Sequence, residues 1–140
     1  VQRLRKRAAD MARNILVVDD DPVIRALVSD TLVACGHAVE SVEGGSQCLD
    51  RLRSGHLPDL VILDLLMPDM SGVEVLRGIR NSTHTSKLPV IMLSANSDAE
   101  TIFDSEHIRA NYYLKKPFKL DEILTVIKGL DGDSAESSAG

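Results

Sequence analysis

Asn14-Ile-Leu-Val-Val-Asp-Asp-Asp-Pro22 sets a short apolar run directly against three acids and a proline. A run this short, rich in Val, Ile and Leu and closed by turn signals, suits a strand buried on both faces of a parallel sheet. Asp21 then reads as a helix cap with Pro22 in the first helical position. The stretch therefore predicts a strand, an acidic strand end, and a helix immediately after it.

Further along the chain, three more segments follow the same pattern. Leu60-Val-Ile-Leu63 runs into Asp64, Val90-Ile-Met-Leu93 runs into Ser94, and Tyr112-Tyr-Leu114 precedes Lys115-Lys116-Pro117-Phe118. A weaker strand is predicted at 38–42. Between the strands, helices are expected at 22–35, around 47–53, at 72–80, at 98–108 and at 120–129. Five alternations of strand and helix argue for an α/β domain on a parallel sheet. Polar residues at the carboxyl ends of such strands stand where open α/β sheets bind ligands. Asp19, Asp20, Asp64, Ser94 and Lys116 thus form one candidate site.

These residues also carry a resemblance. Val17-Val-Asp-Asp-Asp-Pro22, Leu63-Asp-Leu-Leu-Met-Pro-Asp-Met-Ser-Gly72, Leu93-Ser-Ala95 and Lys116-Pro-Phe118 resemble the motifs of the receiver domain of two-component response regulators. They are similar to those of the single-domain chemotaxis regulators. Steps of 44, 30 and 22 residues from Asp20 to Asp64, Ser94 and Lys116 match that family. The resemblance covers roughly residues 14 to 130. It implies a flavodoxin-like doubly wound (βα)5 fold with strand order 2-1-3-4-5.

The resemblance also implies a chemistry. Asp64 would accept a phosphoryl group from a histidine kinase or a histidine phosphotransfer protein, forming an acyl phosphate. Asp19, Asp20 and Asp64, with the backbone carbonyl of Leu66, would hold Mg2+, whose preference is for hard oxygen ligands. Three carboxylates crowded together repel one another, so at least one should titrate high without metal. The Ser94 hydroxyl and the Lys116 ammonium would stabilise phosphoryl oxygens, and Ser94 with Tyr113 would form the output switch. That switch would remodel a face built from the helix at 98–108, strand five and the helix at 120–129, for a downstream protein target. Pairing into a homodimer stays open. The resemblance further implies a cis Lys116–Pro117 peptide, and strand alternation turns Lys115 away from the site.

Several positions depart from the family pattern. Arg109 stands where receivers often have glycine, so the turn into strand five should differ. Lys119 replaces a capping Asp or Ser, which predicts that the cap is lost and that Glu122 lacks a capping-box partner. Leu66 and Asn96 occupy the positions two after Asp64 and two after Ser94. An apolar Leu66 beside a phosphoryl group should slow attack by water.

Composition bounds the remaining readings. The chain has 140 residues, which suits one domain with a real core. With no Trp, two Phe and two Tyr, that core must be aliphatic. Arg3, Arg5, Lys6, Arg7 and Arg13 make residues 1–13 a basic leader, and spacing of Val1, Leu4, Ala8 and Met11 admits a short helix there. The alternative is a frayed leader with Met11 near a natural start. Residues 131–140, of Gly, Ser, Ala and acids, read as a disordered tail. Residues 14–140 are acidic in net, which argues against direct nucleic-acid binding. No apolar run approaches a membrane span, so no membrane contact is expected. Cys35 and Cys48 read as small buried residues in a reducing compartment, which places the chain in the cytoplasm. The four histidines, at 37, 56, 84 and 107, read as surface residues without metal-ligand spacing.

Rival functions fare worse. A phosphatase working through an aspartyl phosphate would want an acid two residues after the nucleophile, where this chain has Leu66. A nucleotide-binding flavodoxin-like domain would need a Gly-rich phosphate loop, and Gly44-Gly45 lacks the spacing. An interaction module that keeps the fold but is not phosphorylated is the remaining alternative.

Overall fold

In a computed structural model, the backbone is described for residues 12–95 and 108–139 and the side chains through Leu130. The leader through Met11, most of the helix expected at 98–108, Asn96 and His107 lie outside the described residues.

The apolar runs form strands β1 (Asn14–Val18), β2 (Ala38–Val42), β3 (Leu60–Asp64), β4 (Val90–Ser94) and β5 (Tyr112–Lys115). All pair in parallel, as the sequence pattern predicts, in the order β2-β1-β3-β4-β5 that the resemblance implies. Every residue of β3 and β4 is buried, which explains why their sequences are unbroken apolar runs rather than alternating ones. The edge strands β2 and β5 are more exposed and accordingly carry polar residues.

Helices α1 (Pro22–Ala34), α2 (Gly45–Arg53), α3 (Gly72–Asn81) and α4 (Leu120–Ala139) cover the sheet. Successive strand residues point to opposite faces, so the core divides in two. Leu16, Val18, Val61, Leu63, Val90 and Met92 pack with Cys48 and Leu52 of α2 and with Val75, Leu76 and Ile79 of α3. Ile15, Val17, Leu60, Ile62, Ile91, Leu93 and Leu114 pack with Val28 and Leu32 of α1 and with Ile123, Val126, Ile127 and Leu130 of α4. Both halves are aliphatic, as the composition requires.

Local signals place the helix starts. The Asp21 carboxylate accepts from Val23 N at 2.9 Å and Ile24 N at 3.4 Å, with Pro22 next to it. Ser71 accepts from Glu74 N and caps α3. At α4 the expectation of a missing cap is half corrected. Lys119 offers no capping side chain, but its backbone N–H donates to Glu122 Oε1 at 3.2 Å, since the amide is present whatever the side chain.

Other expectations need correction. Cys48 is buried, but Cys35 is exposed, because it falls at the C-cap of α1, past the last turn that faces the sheet. The stretch expected to be a disordered tail continues α4 as helical backbone to Ala139. The stretch holds no proline to stop the helix begun at Leu120, although Gly132 and its three serines are weak helix formers. His37 is half-buried rather than on the surface, and its Nδ1 accepts from Arg13 N at 3.0 Å. Burial, with the nearby Arg13 charge, holds its imidazole below the usual range. His56 and His84 are exposed as expected.

The turn into β5 is held by a side chain from α3. Arg80, near the end of α3, reaches across to it. Its guanidinium donates to Arg109 O at 2.9 Å, Leu88 O at 2.6 Å, Ser86 O at 3.3 Å and Asn111 Oδ1 at 3.1 Å. Asn111 Oδ1 also accepts from Val90 N at 2.9 Å. One cation thus ties α3, the entry to β4 and the entry to β5 together.

Candidate functional site

In the order β2-β1-β3, the chain leaves β1 to one side and later returns to its other side. A crevice opens at that reversal, outside the carboxyl ends of β1 and β3. Asp19 follows the last residue of β1 and Asp64 is the last of β3, so both carboxylates reach the same crevice. Ser94 ends β4, and Lys116 follows β5.

Asp19, Asp20 and Asp64 each offer a carboxylate oxygen, and all three oxygens lie within 4.8 Å of one another. Asp19 and Asp64 are buried and Asp20 is exposed. Lys116 Nζ stands 3.1 Å from Asp64 Oδ1 and 3.3 Å from Asp19 Oδ2. Asp19 Oδ1 accepts from Asp21 N at 2.9 Å, and Arg25 on α1 donates to Asp19 O at 2.7 Å. The Ser94 side chain is buried at the end of β4, next to β5 in the sheet. Lys115 is exposed, as alternation requires, and the Lys116–Pro117 peptide is cis.

Burial pushes the Asp64 carboxyl up to about 6, the Asp19 charge adds to this, and the Lys116 hydrogen bond and charge oppose it. Lys116 is held above the usual lysine range: burial opposes its charge, but hydrogen bonding to and attraction by Asp64 and Asp19 outweigh it. Three acids facing one ammonium leave the crevice with surplus negative charge on hard oxygen donors. That donor set fits Mg2+.

The loop after β3 is drawn tight against this site. Leu65 N donates to Leu93 O at 2.8 Å, and Gly72 N donates to Leu65 O at 2.7 Å. A Cβ on Gly72 would stand 2.8 Å from Leu65 Cα and 2.9 Å from Asp64 O, so only glycine permits the closure. Leu66 lies on this loop with its side chain exposed. Tyr113 is half-buried on β5, packed beside the core, and its hydroxyl accepts from Ala110 N at 3.0 Å.

Two site-shaping residues escaped the sequence reading. Arg80 looks like an ordinary helix-surface arginine. Asp69 looks like a loop acid, yet its carboxylate accepts from Gly45 N at 3.3 Å and Ser46 N at 3.0 Å at the start of α2. Gly44-Gly45 at that helix start, without a capping side chain, was the available signal that a cap must come from elsewhere.

Residues 15–128 match the response regulator receiver domain, and the chain belongs to that family. It is 39% identical over 114 residues to the transcriptional regulatory protein KdpE of Mycobacterium tuberculosis, covering 81% of this chain and 49% of that protein. It is 35% identical over 135 residues to the response regulator MprA of Mycolicibacterium vanbaalenii, covering 92% of this chain and 57% of that one. The chain thus spans about half the length of these relatives. Among solved structures, it is similar to the response regulator TrrA of Thermotoga maritima in complex with Mg2+ and BeF. That match has a TM-score of 0.74 and 37% identity, covering 84% of this chain and 98% of the other. Among the described residues no helix is long and apolar enough to cross a membrane.

Proposed function

We propose that this receiver domain accepts a phosphoryl group on Asp64, with Mg2+, from a histidine kinase or a histidine phosphotransfer protein. The observation that carries the reading is the Asp64 carboxylate itself: buried, paired with Lys116 at 3.1 Å, and grouped with Asp19 and Asp20. Asp19, Asp20, Asp64 and the Leu66 carbonyl would hold Mg2+, which offsets the charge of an incoming phosphoryl group.

In the transfer, an Asp64 oxygen attacks phosphorus as the bond from phosphorus to the donor's imidazole nitrogen breaks. The product is an acyl phosphate, and the released imidazole takes up a proton from solvent. Asp64 must be ionised to attack, so a carboxyl titrating near 6 is mostly ready at neutral pH. Lys116 offers its ammonium to one phosphoryl oxygen, and the Ser94 hydroxyl donates to another. The cost of bringing a dianion to three carboxylates is thereby lowered.

The switch follows from the same charge change. Ser94 moves toward the phosphoryl group, and Tyr113 turns from its bond with Ala110 N into the space released. β5 and α4 then present an altered face to a downstream protein or to a second copy of this chain. The acidic body argues against direct nucleic-acid contact by the receiver itself. A whole protein built like the related transcriptional regulatory protein would pass the signal on to transcription.

Intact mass after incubation with Mg2+ and acetyl phosphate or phosphoramidate tests the reading. Wild type should gain one phosphoryl group only with metal, and Asp64→Asn should gain none. A folded wild type that gains nothing and does not take up beryllofluoride would point to an interaction module that works without phosphorylation.

A further inference from the structure

We propose that Asp69 is a positioning residue for the metal site: by clamping the start of α2, it fixes the loop that carries the Leu66 carbonyl. The proposal rests on the reading of Asp19, Asp20, Asp64 and Leu66 as Mg2+ ligands.

Helix α2 starts from Gly44, an extended residue with no side chain to cap it. Its first N–H groups would otherwise lack protein partners. Asp69, 23 and 24 residues further on, supplies both oxygens: Oδ2 to Ser46 N at 3.0 Å and Oδ1 to Gly45 N at 3.3 Å. These bonds, Ser46 first, hold the Asp69 carboxyl below its usual range although it is exposed. The negative charge also suits the positive end of the helix.

The fit is close. A Cβ on Gly44 would meet the Asp69 carboxyl at 2.7 to 2.9 Å, and one on Gly45 would meet Val75 Cγ2 of α3 at 2.5 Å and Met70 Cβ at 3.0 Å. Two neighbouring loop residues are thus seated on two neighbouring helix residues. At its base the loop is closed by the Leu65 and Gly72 backbone bonds, beside Asp64. Leu66 lies between base and clamp. Its side chain is exposed and provides no anchor, so the direction of its carbonyl depends on how the arc is held from both ends.

The experiment separates this role from simple support of α2. Mg2+ binding is followed through amide shifts of Asp64 and Ser94, with urea denaturation in parallel, for wild type, Asp69→Asn, Asp69→Ala and Asp69→Ala/Gly44→Ser. Removing the Asp69 carboxylate clears the three closest atoms from the Gly44 Cβ position, and serine there caps α2 locally while leaving the loop untied. Asp69→Ala should weaken Mg2+ binding about tenfold. Asp69→Asn, with one acceptor oxygen in place of two, should fall between and carries the test should the alanine variant not fold. The double variant should recover the urea midpoint and not the affinity. Unchanged affinity in the single variants, or affinity that returns together with stability in the double, overturns the proposal. A folded wild type that binds no Mg2+ overturns the metal-site reading and the proposal with it.

Discussion

The Lys116 ammonium stands 3.1 Å from Asp64 Oδ1 and 3.3 Å from Asp19 Oδ2, so one cation faces two buried carboxylates. Its charge cannot balance both, with Asp20 also within reach. Burial first, and the Asp19 charge after it, raise the titration of Asp64, and the surplus of carboxylates makes the crevice a receptor for further positive charge.

Stability should therefore fall as pH rises through the range in which Asp64 ionises. A free aspartate titrates near about 3.9, and Asp64 titrates at about 6. Between these values the folded chain holds a proton that the unfolded chain has released. The metal-free fold then loses on the order of 2–3 kcal/mol from about pH 4 to above pH 6. Urea midpoints at pH 5 and pH 7.5 should differ in that direction, Mg2+ should close the gap, and Asp64→Asn should remove it. A profile identical in wild type and Asp64→Asn would refute this account.

Lys116→Met removes the ammonium that faces Asp64 and Asp19. The Asp64 carboxyl should rise further, and at pH 7 without metal the fold should lose about 2 kcal/mol, less at pH 5, where Asp64 takes up a proton. Phosphoryl uptake from a small donor should slow by about 10²–10³. Mass-resolved uptake and urea titration at both pH values would measure this. Unchanged uptake would remove Lys116 from its assigned role.

Arg80→Ala should cost about 3 kcal/mol, because it strips the carbonyls of Leu88, Ser86 and Arg109 and the side chain of Asn111 of a charged donor. Arg80→Lys should recover less than half, since a point ammonium cannot reproduce the fork. Urea titration gives the cost, and amide shifts at Val90 and Asn111 should report the loosened turn. Equal stability of the Lys variant and wild type would contradict the fork geometry.

Gly72→Ala should cost about 2 kcal/mol, since the added methyl meets the backbone at Leu65 Cα and Asp64 O, which cannot swing aside as a side chain would. The same change at Gly78, where the nearest atom is Leu49 Cδ2 at 3.3 Å, should be far milder. Comparing their denaturation midpoints tests whether loop closure next to Asp64 is the cause.

The strands and the site acids could be read from the chain because their signals are local. Leu60–Leu63 is apolar throughout because both faces of β3 are covered, and Asp64 enters the crevice because it ends that strand. Asp21 announces α1 within its own first turn. The sequence by itself thus determined the parallel sheet, the helices after β1, β2, β3 and β5, and the placing of Asp19, Asp64, Ser94 and Lys116 at one end. Tertiary structure decided the rest. Asp69 caps a helix more than twenty residues earlier, Arg80 serves a turn 29 residues away, and Cys35 faces solvent while Cys48 is buried. Each depends on which backbone groups the folded sheet and helices bring within hydrogen-bond reach, or turn away from the core. Residue type and short-range periodicity carry no record of those distances.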